Sequence, residues 1–181
     1  MRKIVVSEFV SLDGVMEDPR WTFTYWNDEI AQFKGEESSA DALLLGRVTY
    51  QGFAAAWPGS KDVGAPYFNS VRKYVVSTTL DTVEWNNSTL IKDNIVEEIT
   101  TLKQQDGQDI AVHGSATLVQ TLMRHGLIDE YRLLVYPIVL GSGKRLFAEG
   151  HPMPLHLIDT QTFSSGVVAL TYQPAEQGAN A

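Results

Sequence analysis

Two stretches of this chain combine a short apolar run, a glycine and a helical stripe in the same order. Residues 42–47 (ALLLGR) are followed by apolar side chains at i, i+3, i+4 and i+7 within 50–57. Residues 109–115 (DIAVHGS) are followed by apolar side chains that share one helical face within 118–123. An uninterrupted apolar run is typical of a strand that is buried on both faces of a sheet. The pattern therefore predicts parallel strands joined by helices, which is an α/β architecture.

The remainder of the chain first extends this pattern and then leaves it. Residues 3–10 and 72–77 have strand composition, and Asn27 stands where a helix is expected to begin. After Glu130 the segments YRLLVY, PLHLIDTQTF and GVVALTYQ are strand-like, with no long helical interval between them. We therefore expect a mixed, mostly parallel sheet that is flanked by helices and has antiparallel strands at its C-terminal end.

The length and composition fit one domain. The chain has 181 residues, of which 44% are hydrophobic and 20% are charged, as is usual for globular proteins. No low-complexity linker or internal repeat divides it. We assign residues 1–175 to a single α/β domain and residues 176–181 to a polar tail.

The charge balance and the absence of cysteine exclude several classes of function. Fourteen Lys and Arg against 22 Asp and Glu give a net charge of −8. A protein that binds nucleic acid or an anionic membrane needs a basic face, so neither is an expected partner of this acidic chain. Without cysteine there is no disulfide, thiolate catalysis or iron–sulfur cluster, and the four histidines are too scattered to predict a metal site.

No apolar run reaches the roughly 18 residues of a membrane span. The first residues have the character of a strand rather than of a signal peptide, so a cytoplasmic location is expected.

Three strand ends carry residues that suit a phosphate. They are Leu45-Gly46-Arg47-Val48-Thr49, Val76-Ser77-Thr78-Thr79 and His113-Gly114-Ser115-Ala116-Thr117. In an open α/β sheet, ligands bind at the carboxyl ends of the strands, beside the N-termini of helices. Glycine lets a phosphate approach the backbone, Arg47 adds a fork of donors, and hydroxyl groups add neutral donors. The three ends together predict a phosphate-bearing small molecule as the ligand.

The usual catalytic motifs are missing. The sequence has no GxGxxG after the first strand, no GxxxxGK[ST] and no GxSxG. What remains is redox chemistry that a cofactor carries, because hydride transfer needs no protein nucleophile. The aromatic segment within 11–26 is either a loop folded over the edge of the core or a wall over a flat ligand.

Several motifs in order resemble the dihydrofolate-reductase-like superfamily. They are SLDG, ALLLGRVTYQGF, KYVVSTTL, VHGSATLVQTL, GLIDEYRLLVYPIVLGSGKRLF and GVVALTY. Within the superfamily they are most similar to the RibD C-terminal-like branch, named for the reductase domain of riboflavin biosynthesis. The resemblance runs from about residue 2 to residue 173. It implies a sheet of about eight mixed strands, flanking helices, bound NADPH and a homodimer.

The resemblance also assigns residues to sites. The cofactor phosphates would contact Gly46, Arg47 and Thr49, with Ser77 and Thr78 near the 2′-phosphate. The pyrophosphate would lie on Gly114, Ser115, Ala116 and Thr117, with the preceding His113 also at the cofactor. The nicotinamide would lie beside the loop that contains Val10, Leu12, Asp13 and Gly14. The acceptor pocket would be lined by Trp21, Phe23 and Phe53.

Two carboxylates are candidates for catalysis. Asp13 either orders its loop or relays a proton. Dihydrofolate reductases carry a pocket carboxylate early in the first helix, where Glu29 is a closer match than Asp28. Acidic residues are also favoured at any helix N-terminus by the helix dipole, so a purely structural role stays open for both. Thr117 stands where dihydrofolate reductases usually have an arginine.

The function expected from the sequence is therefore an NADPH-dependent reductase. Its substrate would be a small flat heterocycle, pteridine-like or pyrimidine-like, or a carbonyl compound. The nearest reactions are those of 5-amino-6-(5-phosphoribosylamino)uracil reductase and dihydrofolate reductase, although the deaminase domain of riboflavin enzymes is not present. The alternative is a non-catalytic module that binds a nucleotide or a pterin and has kept the reductase fold.

Overall fold

The apolar runs of the sequence form strands of one sheet. The structure, a computed structural model, describes residues 1–36, 39–147, 149–150 and 152–175, so the predicted tail at 176–181 lies outside the described residues. Within these ranges the strands are β1 (Ile4–Ser11), β2 (Ala42–Gly46), β3 (Arg72–Val76), β4 (Ser88–Ile91), β5 (Ile110–Val112), β6 (Glu130–Tyr136), β7 (Leu155–Thr162) and β8 (Val168–Pro174). The helices are α1 (Asp28–Glu36), α2 (Arg47–Ala56), α3 (Ala65–Ser70), α4 (Ile95–Gln104) and α5 (Ala116–Arg124). A short 3-10 helix spans Pro19–Tyr25.

The sheet is mixed, as predicted. Its strand order is β4-β3-β2-β5-β1-β6-β8-β7. The six strands from β4 to β6 in this order are parallel to one another. β8 pairs antiparallel with both β6 and β7. The expected single-domain α/β class and the antiparallel C-terminal strands are thus confirmed.

Helices cover both faces of the sheet, and this explains the uninterrupted apolar runs. Leu44 of β2 packs in a cluster that includes side chains of α4 and α5. Its neighbours Leu43 and Leu45 point the other way and pack with side chains of α2 and α3. Because successive side chains of a strand alternate between faces, β2 has to be apolar at every position.

Besides the 3-10 helix, the elements β4 and α3 were not predicted from the sequence. β4 has only four residues and begins with Ser88 and Thr89, so it lacks the apolar run that marks the inner strands. α3 has six residues and contains Pro66, which fits the first turn of a helix but also resembles a turn signal. β4 forms one edge of the sheet, and α3 packs on the face that carries Leu43 and Leu45 of β2.

Candidate functional site

The candidate site is a cavity of about 880 Å³ at the carboxyl ends of the parallel strands. β1 pairs with β5 only as far as Val6 opposite Val112, while β1 continues along β6 to Ser11. The two central strands therefore part beyond Val6, and the space between them opens toward the first turns of α2 and α5. This is the position at which open α/β sheets bind ligands.

Many of the residues predicted from the strand ends line this cavity. They are Gly46, Arg47, Val48, Thr49, Val76, Ser77, Thr78, Thr79, His113, Ser115, Ala116 and Thr117. The wall also includes residues that the sequence analysis did not select, among them Ser7, Glu8, Phe9, Met16, Glu17, Asp18 and Lys144.

Two glycine-containing turns meet at the cavity floor. The backbone N–H of Gly46 donates to the carbonyl of Gly114 at 3.0 Å. A Cβ atom on Gly46 would lie 2.9 Å from Ser115 N and closer still to Ser115 Oγ, so no side chain fits there. Gly114 has a φ of +96°, a backbone conformation that residues with a side chain rarely adopt. A cis peptide bond joins it to Ser115. A Cβ on Gly114 would also lie 2.7 Å from Thr49 Oγ1. Because neither Gly46 nor Gly114 has a side chain, the starts of α2 and α5 can lie close together.

Both helices begin without a side-chain cap. α2 follows Gly46 and α5 follows Ser115, and neither N-cap residue makes a side-chain capping bond. Neither helix has an acidic residue in its first turn. The free N–H groups and the positive ends of two helix dipoles therefore face one cavity, an arrangement that favours an anionic group.

Polar side chains surround these helix ends. Arg47 is exposed at the start of α2, and its Nη1 donates to Gln51 Oε1 at 3.3 Å. Ser77 is buried, and its Oγ accepts from the backbone N–H groups of Thr79 and Leu80 at 3.2 and 3.0 Å. Ser77 therefore orders the loop after β3, and Thr78 is left exposed at the cavity wall.

Phe53 and His113 form an aromatic part of the wall. Their ring centroids lie 6.3 Å apart, and Phe68 lies 6.1 Å from the His113 ring. Nδ1 of His113 lies 3.1 Å from the backbone carbonyl of Ser7, which can only accept, so Nδ1 carries the proton. Burial, aided by the nearby charge of Lys34, lowers the pKa of His113 to about 3. His113 is therefore neutral at physiological pH.

A buried carboxyl group lies in the same wall. Glu8 of β1 is 8% exposed, and its Oε1 has no hydrogen-bond partner among the described residues. Burial raises the pKa of Glu8 well above its ordinary value, although the Lys34 ammonium opposes this shift. The Nζ of Lys34 donates to Ser7 Oγ at 2.6 Å. The only sequence signal for Glu8 is an acidic residue inside an apolar strand, which by itself does not predict a site.

The two predicted catalytic carboxylates lie outside the cavity wall. Asp13 accepts hydrogen bonds from Ser11 Oγ at 2.6 Å and from the backbone N–H groups of Leu140 and Gly141 at 3.1 and 2.8 Å. These bonds, that of Ser11 foremost, lower the pKa of Asp13 to about 2. Asp13 was predicted either to order its loop or to relay a proton, and these hydrogen bonds match the ordering of the loop.

Glu29 has a similar, structural environment. Its Oε2 accepts from the Oγ and the backbone N–H of Ser164 at 2.6 and 2.8 Å, and from Asn27 Nδ2 at 3.2 Å. The Ser164 hydroxyl is the main cause of a lowered pKa for Glu29. The carboxylate therefore ties the start of α1 to the turn before β8.

The other residues assigned by resemblance are placed as follows. Val10 is buried in the core, Leu12 is 66% exposed, and Gly14 has a φ of +84° in the turn after β1. Trp21 packs edge-on against the buried ring of Tyr136, with centroids 5.4 Å apart, and Phe23 is 72% exposed.

None of these five residues, Trp21 and Phe23 included, contributes to the cavity wall. The packing of the aromatic segment matches a loop folded over the core edge. Phe53 is the one predicted acceptor residue that lines the cavity.

In the described part of the chain, no three His, Asp or Glu side chains lie close enough together to hold a metal ion. No helix within it is both long and apolar enough to cross a membrane.

Comparison with known proteins gives a consistent family relationship. The family model of the RibD C-terminal domain matches residues 2–169. The uncharacterized protein YyaP of Bacillus subtilis (strain 168) is 34% identical over 188 residues, which cover 94% of this chain and 94% of that protein.

Solved structures share the fold. The crystal structure of a putative riboflavin biosynthesis protein from Shewanella sp. PV-4 has a TM-score of 0.78 and 23% identity, covering 96% of this chain and 99% of that one. Dihydrofolate reductase from Enterococcus faecalis, complexed with NADP(H), has a TM-score of 0.64 and 14% identity, covering 96% of this chain and 97% of that one.

Proposed function

Because the chain belongs to the RibD C-terminal domain family, we propose that it is an NADPH-dependent reductase. It transfers hydride to a small flat heterocycle, pteridine-like or pyrimidine-like, or to a carbonyl compound. The fold is that of RibD-type and dihydrofolate-type reductases. The relative YyaP is an uncharacterized protein, so the substrate class is part of the proposal.

One observation supports this proposal above the others. The uncapped N-termini of α2 and α5 open into one cavity across the contact between Gly46 and Gly114. A dinucleotide carries several phosphate oxygens that accept hydrogen bonds from such backbone N–H groups. Arg47 suits the 2′-phosphate that distinguishes NADPH from NADH, because a guanidinium binds phosphate through paired hydrogen bonds.

The cavity also suits the remaining parts of the reaction. At about 880 Å³ it lies toward the upper end of the roughly 300–1,000 Å³ usual for small-molecule sites. When bound, NADPH supplies the hydride. The chain itself has to hold nicotinamide and acceptor together and keep water out. Phe53, Phe9 and Met16 give the wall the apolar surface that a flat ring needs.

A calorimetric titration of NADPH and of NADH tests the proposed function. We expect binding of both, with a clear preference for NADPH, and oxidation of NADPH when a suitable acceptor is added. Failure of the wild-type protein to bind either dinucleotide contradicts the proposal.

A non-catalytic binding module is the second candidate. It is favoured by the placement of Asp13 and Glu29, the two carboxylates expected to act in catalysis, outside the cavity wall. A screen of pteridine, pyrimidine and carbonyl acceptors separates the two functions. NADPH binding without oxidation by any acceptor supports the module, and acceptor-dependent oxidation supports the enzyme.

The proposal extends to a homodimer. β7 forms one edge of the sheet, and its Leu157 and Ile158 are 46% and 48% exposed. An edge strand with exposed apolar side chains is suited to pairing with a second copy. Light scattering after size exclusion tests this, because a species of 20.1 kDa at working concentration contradicts it. The cytoplasmic location stays a prediction from the sequence.

A further inference from the structure

The acidic residue on β1 differs from every other carboxylate near the cavity. Glu8 is 8% exposed and lines the cavity, yet its Oε1 has no hydrogen-bond partner among the described residues. By contrast, Glu17 Oε2 accepts from the backbone N–H of Lys144 at 3.2 Å, and Asp18 is ion-paired with Arg20. A buried polar atom without a partner is rare in folded proteins, and at a cavity it points to a ligand group.

The position of Glu8 places its carboxyl group beside the turn that joins the two helix ends. Its Oε1 would lie 3.6 Å from a Cβ atom built on Gly114. β1 has no β5 neighbour beyond Val6, so this side of the strand is open to the cavity. The Glu8 carboxyl therefore reaches the part of the cavity next to the proposed cofactor site rather than its rim.

We propose that Glu8 is the proton donor of the reduction. The proposal rests on the reductase function proposed above and names the acceptor as a neutral C=N or C=O group. In the step, the π bond of the acceptor breaks, its carbon gains a hydride from the reduced nicotinamide, and its nitrogen or oxygen gains the Glu8 proton. The acceptor is reduced by two electrons, the nicotinamide is oxidised, and the Glu8 carboxylate regains a proton from water.

The surroundings of Glu8 favour its acid form over the carboxylate. Burial disfavours the carboxylate, and this outweighs the attraction of the Lys34 ammonium, which donates to Ser7 Oγ. His113 is neutral, because its pKa is lowered to about 3, and so adds no positive charge. The other charged groups of the cavity wall are Glu17, Asp18, Arg47 and Lys144. A carboxyl group in its acid form has the proton that must accompany hydride addition.

The first arm of the test reads the protonation state of Glu8 directly. The protein is labelled with ¹³C at the glutamate carboxyl carbons, and the Glu8 signal is identified by its absence in Glu8→Gln. We expect it to titrate well above the ordinary glutamate pKa of about 4.3. The exposed Glu84→Gln is the matched control and leaves the Glu8 signal in place. A Glu8 midpoint in the ordinary range overturns the proposal.

The second arm separates proton transfer from hydride transfer. The probes are 3,4-dihydroisoquinoline, a neutral imine that needs both, and its N-methyl iminium salt, which needs hydride alone. Glu8→Gln keeps the size of the side chain but has no acidic proton. We expect it to slow imine reduction by at least about 100-fold, to change iminium reduction by less than about threefold, and to leave NADPH affinity unchanged.

The wild-type rate with the imine should fall as the pH rises through the Glu8 midpoint, and the rate with the iminium should not. Equal losses with both probes in Glu8→Gln overturn the proposal, because a merely structural role would slow both. Failure of the wild-type protein to bind NADPH contradicts the reductase function instead. The carboxyl titration still decides the protonation state of Glu8 in that case.

Discussion

The N-terminus of α1 and the N-termini of α2 and α5 are built in opposite ways. α1 begins after Asn27, whose Oδ1 accepts from the N–H of Ile30 at 3.0 Å, and has two acidic residues in its first turn. α2 and α5 begin after Gly46 and Ser115, with no side-chain cap and no acid in the first turn. A side chain thus caps the start of α1, whereas the uncapped starts of α2 and α5 face the cavity.

This difference separates helix ends that stabilise the fold from helix ends that are available to a ligand. A cap stabilises a helix by about 1 kcal/mol, so leaving two ends uncapped costs stability that a bound anion restores. Glu29 illustrates this difference. An acidic residue in the first turn of α2 or α5 would repel a phosphate, whereas Glu29 in the first turn of α1 accepts a hydrogen bond from Ser164. Changes at the two kinds of helix end should therefore affect different measurements.

The largest effect is expected at Gly46. A valine there would place its Cβ 2.9 Å from Ser115 N, so the starts of α2 and α5 would have to separate. We expect Gly46→Val to weaken NADPH binding by more than about 100-fold, which is a loss of about 2.7 kcal/mol. Calorimetry measures the affinity, and circular dichroism verifies that the variant is folded.

The matched control for this glycine is Gly35→Ala in α1. A Cβ on Gly35 would meet no atom within 4 Å. NADPH affinity should stay unchanged, and the free energy of unfolding should rise by up to about 1 kcal/mol, because alanine favours helix more than glycine does. A folded Gly46→Val protein with wild-type affinity would remove the distinction between the two kinds of helix end.

Arg47→Ala should have the next largest effect. A 2′-phosphate carries a charge of about −1.5 to −2, and a hydrogen bond to a charged group contributes roughly 1.5–3 kcal/mol. NADPH binding should weaken by about 10- to 150-fold and NADH binding much less. Arg72→Ala, an exposed arginine at the opposite end of a strand, serves as the control. Equal weakening of both dinucleotides would show that Arg47 does not contact the 2′-phosphate.

Asn27→Ala should lower the stability of the fold and leave NADPH binding unchanged. Removing the cap of α1 should lower the free energy of unfolding by about 1 kcal/mol, as measured by urea denaturation. The affinity for NADPH should remain within about twofold of wild type, because α1 does not begin at the cavity. A parallel loss of affinity would mean that the N-terminus of α1 belongs to the binding site.

The smallest effect concerns the pH dependence of stability at Glu29. Its hydrogen bonds lower its pKa in the folded state, so the carboxylate stabilises the fold above its ordinary pKa. This stabilisation should be lost as the pH falls through the lowered pKa of the folded state. In Glu29→Gln, urea unfolding should therefore show a weaker loss of stability than wild type as the pH falls below the ordinary glutamate pKa of about 4.3. Identical pH profiles would show that the Ser164 bonds do not favour the charged form.

The sequence predicted the parts of the site that depend on local backbone chemistry. Glycine after a buried strand and before a helical stripe marks an open helix start, and this placed Gly46, Arg47 and Ser115 at the cavity. The cap at Asn27 and the sheet class follow from equally local signals. Short edge elements such as β4 escape the same reasoning, because four residues do not make a recognisable apolar run.

The parts that depend on tertiary contacts were not predictable from the sequence. The strand pattern shows that Glu8 is an acid among apolar residues, but not that β1 and β5 part beside it. Resemblance assigns Trp21 to the acceptor pocket, whereas in the structure its ring packs edge-on against Tyr136 and does not line the cavity. Besides their neighbours Ser11 and Asn27, Asp13 and Glu29 bond to Gly141 and Ser164, which lie more than a hundred residues away along the chain.

The most direct test of the central claim is an NMR titration of ¹⁵N-labelled protein with NADPH. If the phosphates bind at the open helix ends, the backbone N–H signals of the first turns of α2 and α5 should shift together at one saturating concentration. The signals of the first turn of α1 should stay in place. Shifts at the start of α1, or saturable binding that leaves α2 and α5 unchanged, would contradict the account.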